Sequence, residues 1–179
     1  MAKRDQDGVP IKQKKRVHPP SMSDFWYGDR GGFAGIPRAV MRGPDYLGLN
    51  PSSAKLLLEF AYQVNGQNNG DLSAVWSLLK MRGFNSKQTI ERSINELILK
   101  GLIVKTRNGA SGGEGYRKAT LYALTWLAIC PVNDDGAMHK LDVESTNQPL
   151  RISFDTPFDG RVLVKFRKNN FKSRSRNNE

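Results

Sequence analysis

The sequence predicts an α+β domain in which three helices precede a β-hairpin, with basic extensions at both ends. Three observations predict it. Apolar residues recur at helical spacing between positions 51 and 98. The pattern changes to strand-type runs after Gly101. Cations dominate, with 28 Lys and Arg against 17 Asp and Glu, a net charge of +11 and a mean hydropathy of −0.55.

Residues 1–22 have little to bury and end near Pro19-Pro20, which predicts a disordered basic arm. Residues 23–49 form an aromatic, Gly- and Pro-rich lead-in with a short helix over Arg38–Met41. Phe25, Trp26 and Tyr27 either pack on the domain's flank or offer a base-stacking platform. The domain proper is predicted over 50–130. Asn50-Pro51 supplies an N-cap and a proline at the first helical position. Ala54, Leu57, Leu58, Ala61 and Tyr62 then mark an inward stripe ending near Asn65-Gly66. After the turn GQNNGD, Leu72-Ser73 pairs as a short strand. A second helix over Ala74–Met81 is expected to bury Val75, Leu78 and Leu79, and Arg82-Gly83 closes it. The third helix lies in GFNSKQTIERSINELILKG, residues 83–101. Asn85 or Ser86 caps it, and Ile90, Ile94, Leu97 and Ile98 form its inward stripe. LIVKTR (102–107) and ATLYALTWLAI (119–129) read as strands around NGASGGEGYRK, a glycine-rich polar loop.

Beyond this, residues 131–165 carry an acidic segment expected to wrap back on the domain or mediate self-association, with RVLVKF as one more strand. A basic tail follows at 166–179. Net charge by segment is +4 for 1–20, 0 for 21–50, +5 for 51–130, −4 for 131–160 and +6 for 161–179.

Composition narrows the function. A basic excess calls for an anionic partner, nucleic acid foremost. A single cysteine, Cys130, excludes an internal disulfide framework. Cys130 is read as a buried structural thiol. With His18 and His139 the only histidines, no cluster has metal-ligand spacing, and no cofactor is expected. GASGGEGYRK lacks the G-x-x-x-x-G-K-[ST] pattern of a phosphate loop, no G-x-S-x-G elbow is present, and Asp155 and Asp159 read as turn formers. The expectation is a non-enzyme. No apolar run approaches the roughly 20 residues of a membrane span, and the start MAKRDQDG has no signal-peptide core. A cytoplasmic protein with no membrane partner is therefore expected.

Helix, short strand, helix, helix, strand, basic loop, strand is the order of a winged helix-turn-helix domain. A major groove about 12 Å wide admits one helix and displays a pattern that distinguishes all four base pairs. The second helix would cross the DNA backbone while the third reaches base edges. Ser86, Lys87, Gln88, Thr89 and Arg92 form the expected base-reading set, with Asn95 next along the exposed side. Gln suits adenine, Arg suits guanine and Thr offers a methyl to thymine. Glu96 lies too far along, or tunes Arg92 by an i, i+4 ion pair. Arg107, Asn108, Tyr116, Arg117 and Lys118 form the expected wing and backbone contacts, although Arg107 or Arg117 can instead enter the minor groove.

The run from Gly32 to Arg107, with ATLYALTWLAI and KLDV after it, resembles small winged helix-turn-helix proteins of bacterial plasmids, prophages and integrated elements. The resemblance covers about residues 32–143. NNGDLSA (68–74) and LILKGLIVKTR (97–107) carry it most specifically. It implies double-stranded DNA binding in transcriptional control, or at a replication origin as an initiation or partition accessory protein, associated with plasmid or nucleoid. A protein-binding adaptor is the reading from another class. A homodimer and a replication or transcription protein stand as further partners.

Overall fold

The computed structural model describes residues 34–111, 117–131 and 141–160, all within one unit that begins at Ala34. Among them are five helices: α1 (Arg38–Arg42), α2 (Pro44–Leu47), α3 (Pro51–Gln63), α4 (Trp76–Met81) and α5 (Lys87–Leu99). Strands β1 (Leu72–Ser73), β2 (Ile103–Arg107) and β5 (Leu121–Leu124) form an antiparallel sheet in the order β1-β5-β2, and β3 (Ala110–Ser111) pairs with β4 (Arg117–Lys118). The fold is α+β. The predicted arm, the 25–27 aromatic cluster, Tyr116, the RVLVKF strand and the basic tail lie outside the described residues.

The α4 and α5 helices both end in the same device. After α4, Gly83 (φ 85°) lets Phe84 N donate to Leu79 O and Gly83 N to Lys80 O. After α5, Gly101 (φ 60°) lets Leu102 N donate to Leu97 O and Gly101 N to Ile98 O. These Schellman caps need a residue in the left-handed region, which glycine occupies without steric cost. The first cap sets the short link from α4 to α5. The second drops the chain straight into β2.

Two apolar clusters sandwich the sheet. On the helical side Leu56, Leu57, Phe60, Leu79, Phe84, Ile90, Leu97, Tyr122 and Leu124 pack together with Val40 and Phe154. On the other side Val104, Leu121, Ala123, Ile129 and Leu141 form a smaller core. Every residue of β5 is therefore buried, which is why LYAL shows no polar alternation. The structured core draws on residues both before Asn50 and after Cys130.

Four expectations need correction. The inward stripe of α3 runs through Ser53, Leu56, Leu57, Phe60 and Ala61, whereas Leu58 and Tyr62 are 48% and 60% exposed. The run Leu56-Leu57-Leu58 fits either phase, and the tilted contact of the Phe60 and Tyr122 rings, centroids 5.4 Å apart, decides it. In α4 only Leu79 is buried; Leu78 is 51% exposed and Val75 is the residue before the helix. Six residues give barely two turns, so a single side chain meets the core. The 119–129 strand stops at Leu124, because β2 begins at Ile103, its last partner. Beyond it, Thr125 Oγ1 donates to the carbonyls of Gly101 and Leu102, and Asn69 Nδ2 donates to those of Leu124, Leu127 and Ala128. Cys130 is half-buried, with Sγ 4.0 Å from Gly66 O.

Residues 141–160 lie along the core. Asp142 N donates to Thr106 O, and Asp142 Oδ2 accepts from Asn108 N. The Arg151 guanidinium is buried between the rings of Phe154 and Phe158 and donates to Asp45 Oδ2 at 2.6 Å. It also holds the carbonyls of Lys100, Ser153 and Thr156. The Phe158 ring covers Gly101, where an added Cβ would meet it at 2.3 Å.

Candidate functional site

The α5 helix is held on three sides and open on the fourth. Its N-terminus is capped by Ser86, whose Oγ accepts from Thr89 N. Its inner face is Ile90, Ser93 and Leu97. Ser53 and Ser93 are both buried, small enough for close approach of α3 and α5, and Ser93 Oγ donates to Ser52 Oγ at 3.3 Å.

Glu96 supplies the third side, in a role different from either expected of it. It does not pair with Arg92. Its carboxylate accepts from Asn50 N, Asn50 Nδ2 and Ser53 Oγ at the start of α3. A negative charge suits the positive end of a helix. Burial pushes the Glu96 carboxyl upward, but the hydrogen bonds from Ser53 and Asn50 and the charge of Lys100 outweigh it and hold the carboxyl below its ordinary value.

The open side carries Gln88, Arg92 and Asn95 at i, i+4 and i+7, all exposed. Among the described residues no hydrogen bond or ion pair occupies their side chains. The other expected base readers are placed differently. The Ser86 hydroxyl is engaged in the cap, and Thr89 is half-buried. Lys87 leans over the Trp76 ring, its Nζ 5.9 Å from the centroid. Three of the six are thus brought together on one face.

The hairpin positions the rest. A bulge between Lys105 and Arg107 turns Thr106 inward, where its hydroxyl donates to Gly70 O at 2.6 Å. Arg107 is half-buried and its Nε donates to Ala119 O. Asn108 and Lys118 are exposed. Arg117 pairs through its backbone with Ser111, and Tyr116 is outside the described residues.

Sequence reading missed one feature. Between α5 and the sheet lies a cleft of about 370 Å³. Ile90, Ile94, Ile98 and Tyr122 form its floor, Trp76 a wall, and Lys87, Glu91, Asn95 and Lys105 its polar rim. Burial raises the Tyr122 phenol above its ordinary value. Ile94 and Ile98 looked like ordinary core positions, and their half-burial is the only local trace of the cleft. Trp76 and Lys105 belong to other elements, so no spacing within one helix could join them to it. Comparison with protein-family models, curated proteins and solved structures finds no match.

Proposed function

We propose that this chain is a sequence-specific double-stranded DNA-binding protein of a bacterial mobile element, acting as a transcriptional regulator. In this reading α4 and α5 are the helix-turn-helix and the β2–β5 hairpin is the wing. The observation that carries it is the uncommitted row Gln88, Arg92 and Asn95 on a helix fixed at both ends. Side chains able to hydrogen-bond base edges stand together on a rigid element, and among the described residues no neighbour consumes them. The basic balance of the chain, +11, supplies the attraction to phosphate.

The test is selection of bound fragments from sheared element and host DNA, followed by titration at several salt concentrations. Arg92→Ala relaxes base preference at one position and costs roughly 1–3 kcal/mol there. Lys118→Ala weakens binding to all sequences alike and lowers the salt slope by about 1. Absence of salt-sensitive affinity for any duplex would sink the proposal.

One observation favours a second reading, an adaptor that binds another protein. On α4, Leu78 is 51% and Met81 77% exposed, and Leu58 on α3 is also exposed. A helix that crosses phosphates has little use for such side chains. Under the adaptor reading, Leu78→Ser with Met81→Ser leaves DNA affinity at background levels and abolishes association with the partner. Under the regulator reading the same pair leaves operator affinity within a fewfold of the parent.

A further inference from the structure

The cleft beside α5 has a composition that its position alone does not require. Its floor is apolar and one wall is an indole, which suits a flat, weakly polar ring. Two ammonium groups, Lys87 and Lys105, stand on its rim, and they come from different elements. Among the described residues neither is engaged in an ion pair. Asn95 and Glu91 complete the rim, the first able to donate and accept, the second able to accept from an exocyclic amine. A flat ring with polar edges joined to an anion is a nucleotide, and about 370 Å³ is ample for a base and part of its sugar.

We infer that this cleft seats a single nucleotide, its base against Trp76 in place of the Lys87 ammonium that now lies 5.9 Å from the ring centroid, and its phosphate at Lys105. The inference rests on the DNA-binding reading for one of its two sources. That source is a base drawn out of the duplex held by the Gln88–Arg92–Asn95 face. The other is a free nucleotide acting as an effector. Asn95 lies on both the cleft and the base-reading face, so occupancy of one bears directly on the other. Glu91 favours bases that carry an amino group and disfavours a phosphate placed at its end of the cleft. The phosphate is therefore assigned to the Lys105 side. Extraction of a base forfeits its stacking in the duplex, and stacking on an aromatic side chain offsets that loss.

The test uses the full chain and three probes: a selected duplex carrying 2-aminopurine at each position in turn, a single strand of the same sequence, and 5′-dAMP with 5′-dCMP. For a drawn-out base, 2-aminopurine emission rises at one position of the bound duplex. Trp76→Ala and Lys105→Gln abolish that rise and weaken single-strand binding roughly tenfold. Arg92→Ala lowers duplex affinity but preserves the rise at saturating protein. For a free effector, no position brightens, yet the mononucleotides bind and Trp76→Ala removes that binding. Trp76→Phe, which keeps a ring, restores most of either signal and separates loss of stacking from loss of fold. If the duplex binds but no position brightens and no mononucleotide binding is lost in Trp76→Ala, the cleft inference is overturned while the DNA reading stands. If no duplex binds, the DNA reading fails and the mononucleotide titration alone decides the cleft.

Discussion

Arg151 offers the sharpest test of how α5 is held at its C-terminal end. Its guanidinium is 7% exposed and makes four hydrogen bonds, to Asp45 Oδ2, Lys100 O, Ser153 O and Thr156 O. Truncation to alanine leaves Asp45 buried with Phe158 N, at 2.9 Å, as the donor that remains on Oδ2. Removing one partner of a buried ion pair costs about 3–5 kcal/mol, mostly because the other charge is stranded. The two ring faces at 4.4 and 5.2 Å lose their cation as well, which favours the upper half of that range. Against a typical domain stability of about 5–15 kcal/mol this is a large fraction, and Tm should fall by roughly 10–20 °C. Urea unfolding followed by circular dichroism measures it. Asp45→Asn and the double variant complete a cycle, and a coupling of about 1–3 kcal/mol is expected. Arg151→Lys should recover only part of the loss, since an ammonium cannot span the four acceptors. A single-variant cost below about 1 kcal/mol, or strict additivity of the pair, would refute the reasoning.

Two further outcomes follow from the same geometry. Because the folded state holds the Glu96 carboxyl below its ordinary value of 4.5, its contribution is present above that value and is lost as pH falls through the lower folded value. Glu96→Gln should thus lower stability at neutral pH and flatten the acid limb of a stability-versus-pH curve, and parallel curves for the two proteins would count against the capping role. Asn69 is 2% exposed, bonds three carbonyls and accepts from Leu124 N. Asn69→Ala should cost roughly 3 kcal/mol in urea unfolding by stranding those groups, and a loss under about 1 kcal/mol would mean that water or a shifted turn replaces them.

Sequence patterning worked where structure is local. Ser86, the Ile90–Ile98 period and Gly101 delimit a helix found at Lys87–Leu99, and Leu72-Ser73 was legible as the strand that joins the sheet. It failed where the deciding partner lay far along the chain. The phase of Leu56-Leu57-Leu58 depends on Tyr122, and Glu96 looks toward Arg92 only until α3 is placed beside it. The end of β5 depends on where its partner strand β2 begins, at Ile103, and the chain beyond it is held by Asn69, 55 residues before Leu124. Periodicity fixes which face of α5 is polar, but not which polar side chains remain unengaged. Ser86 reads in the sequence both as a cap and as a base reader, and its hydroxyl is committed to the cap while Gln88 stays unengaged among the described residues. The cleft was hidden for the same reason, since its cations and its aromatic wall come from three different elements.

The Asp45–Arg151 bond has a consequence for the order in which the chain can fold. Its partners are separated by 106 residues, and Phe158 N reaches Asp45 across 113. At synthesis rates of about 5–20 residues per second, Asp45 waits on the order of 5–20 s for its counter-charge to be made. During that interval α2 carries an unneutralised carboxylate and the lower end of α5 lacks its Phe158 cover. A nascent chain therefore passes through a stage at which the helices can form but the C-terminal end of α5 is not yet held by Arg151. Bringing together groups so far apart along the chain is entropically costly, and a ribosome-bound fragment ending before Arg151 should stay protease-sensitive at Gly101 while α3 is already protected.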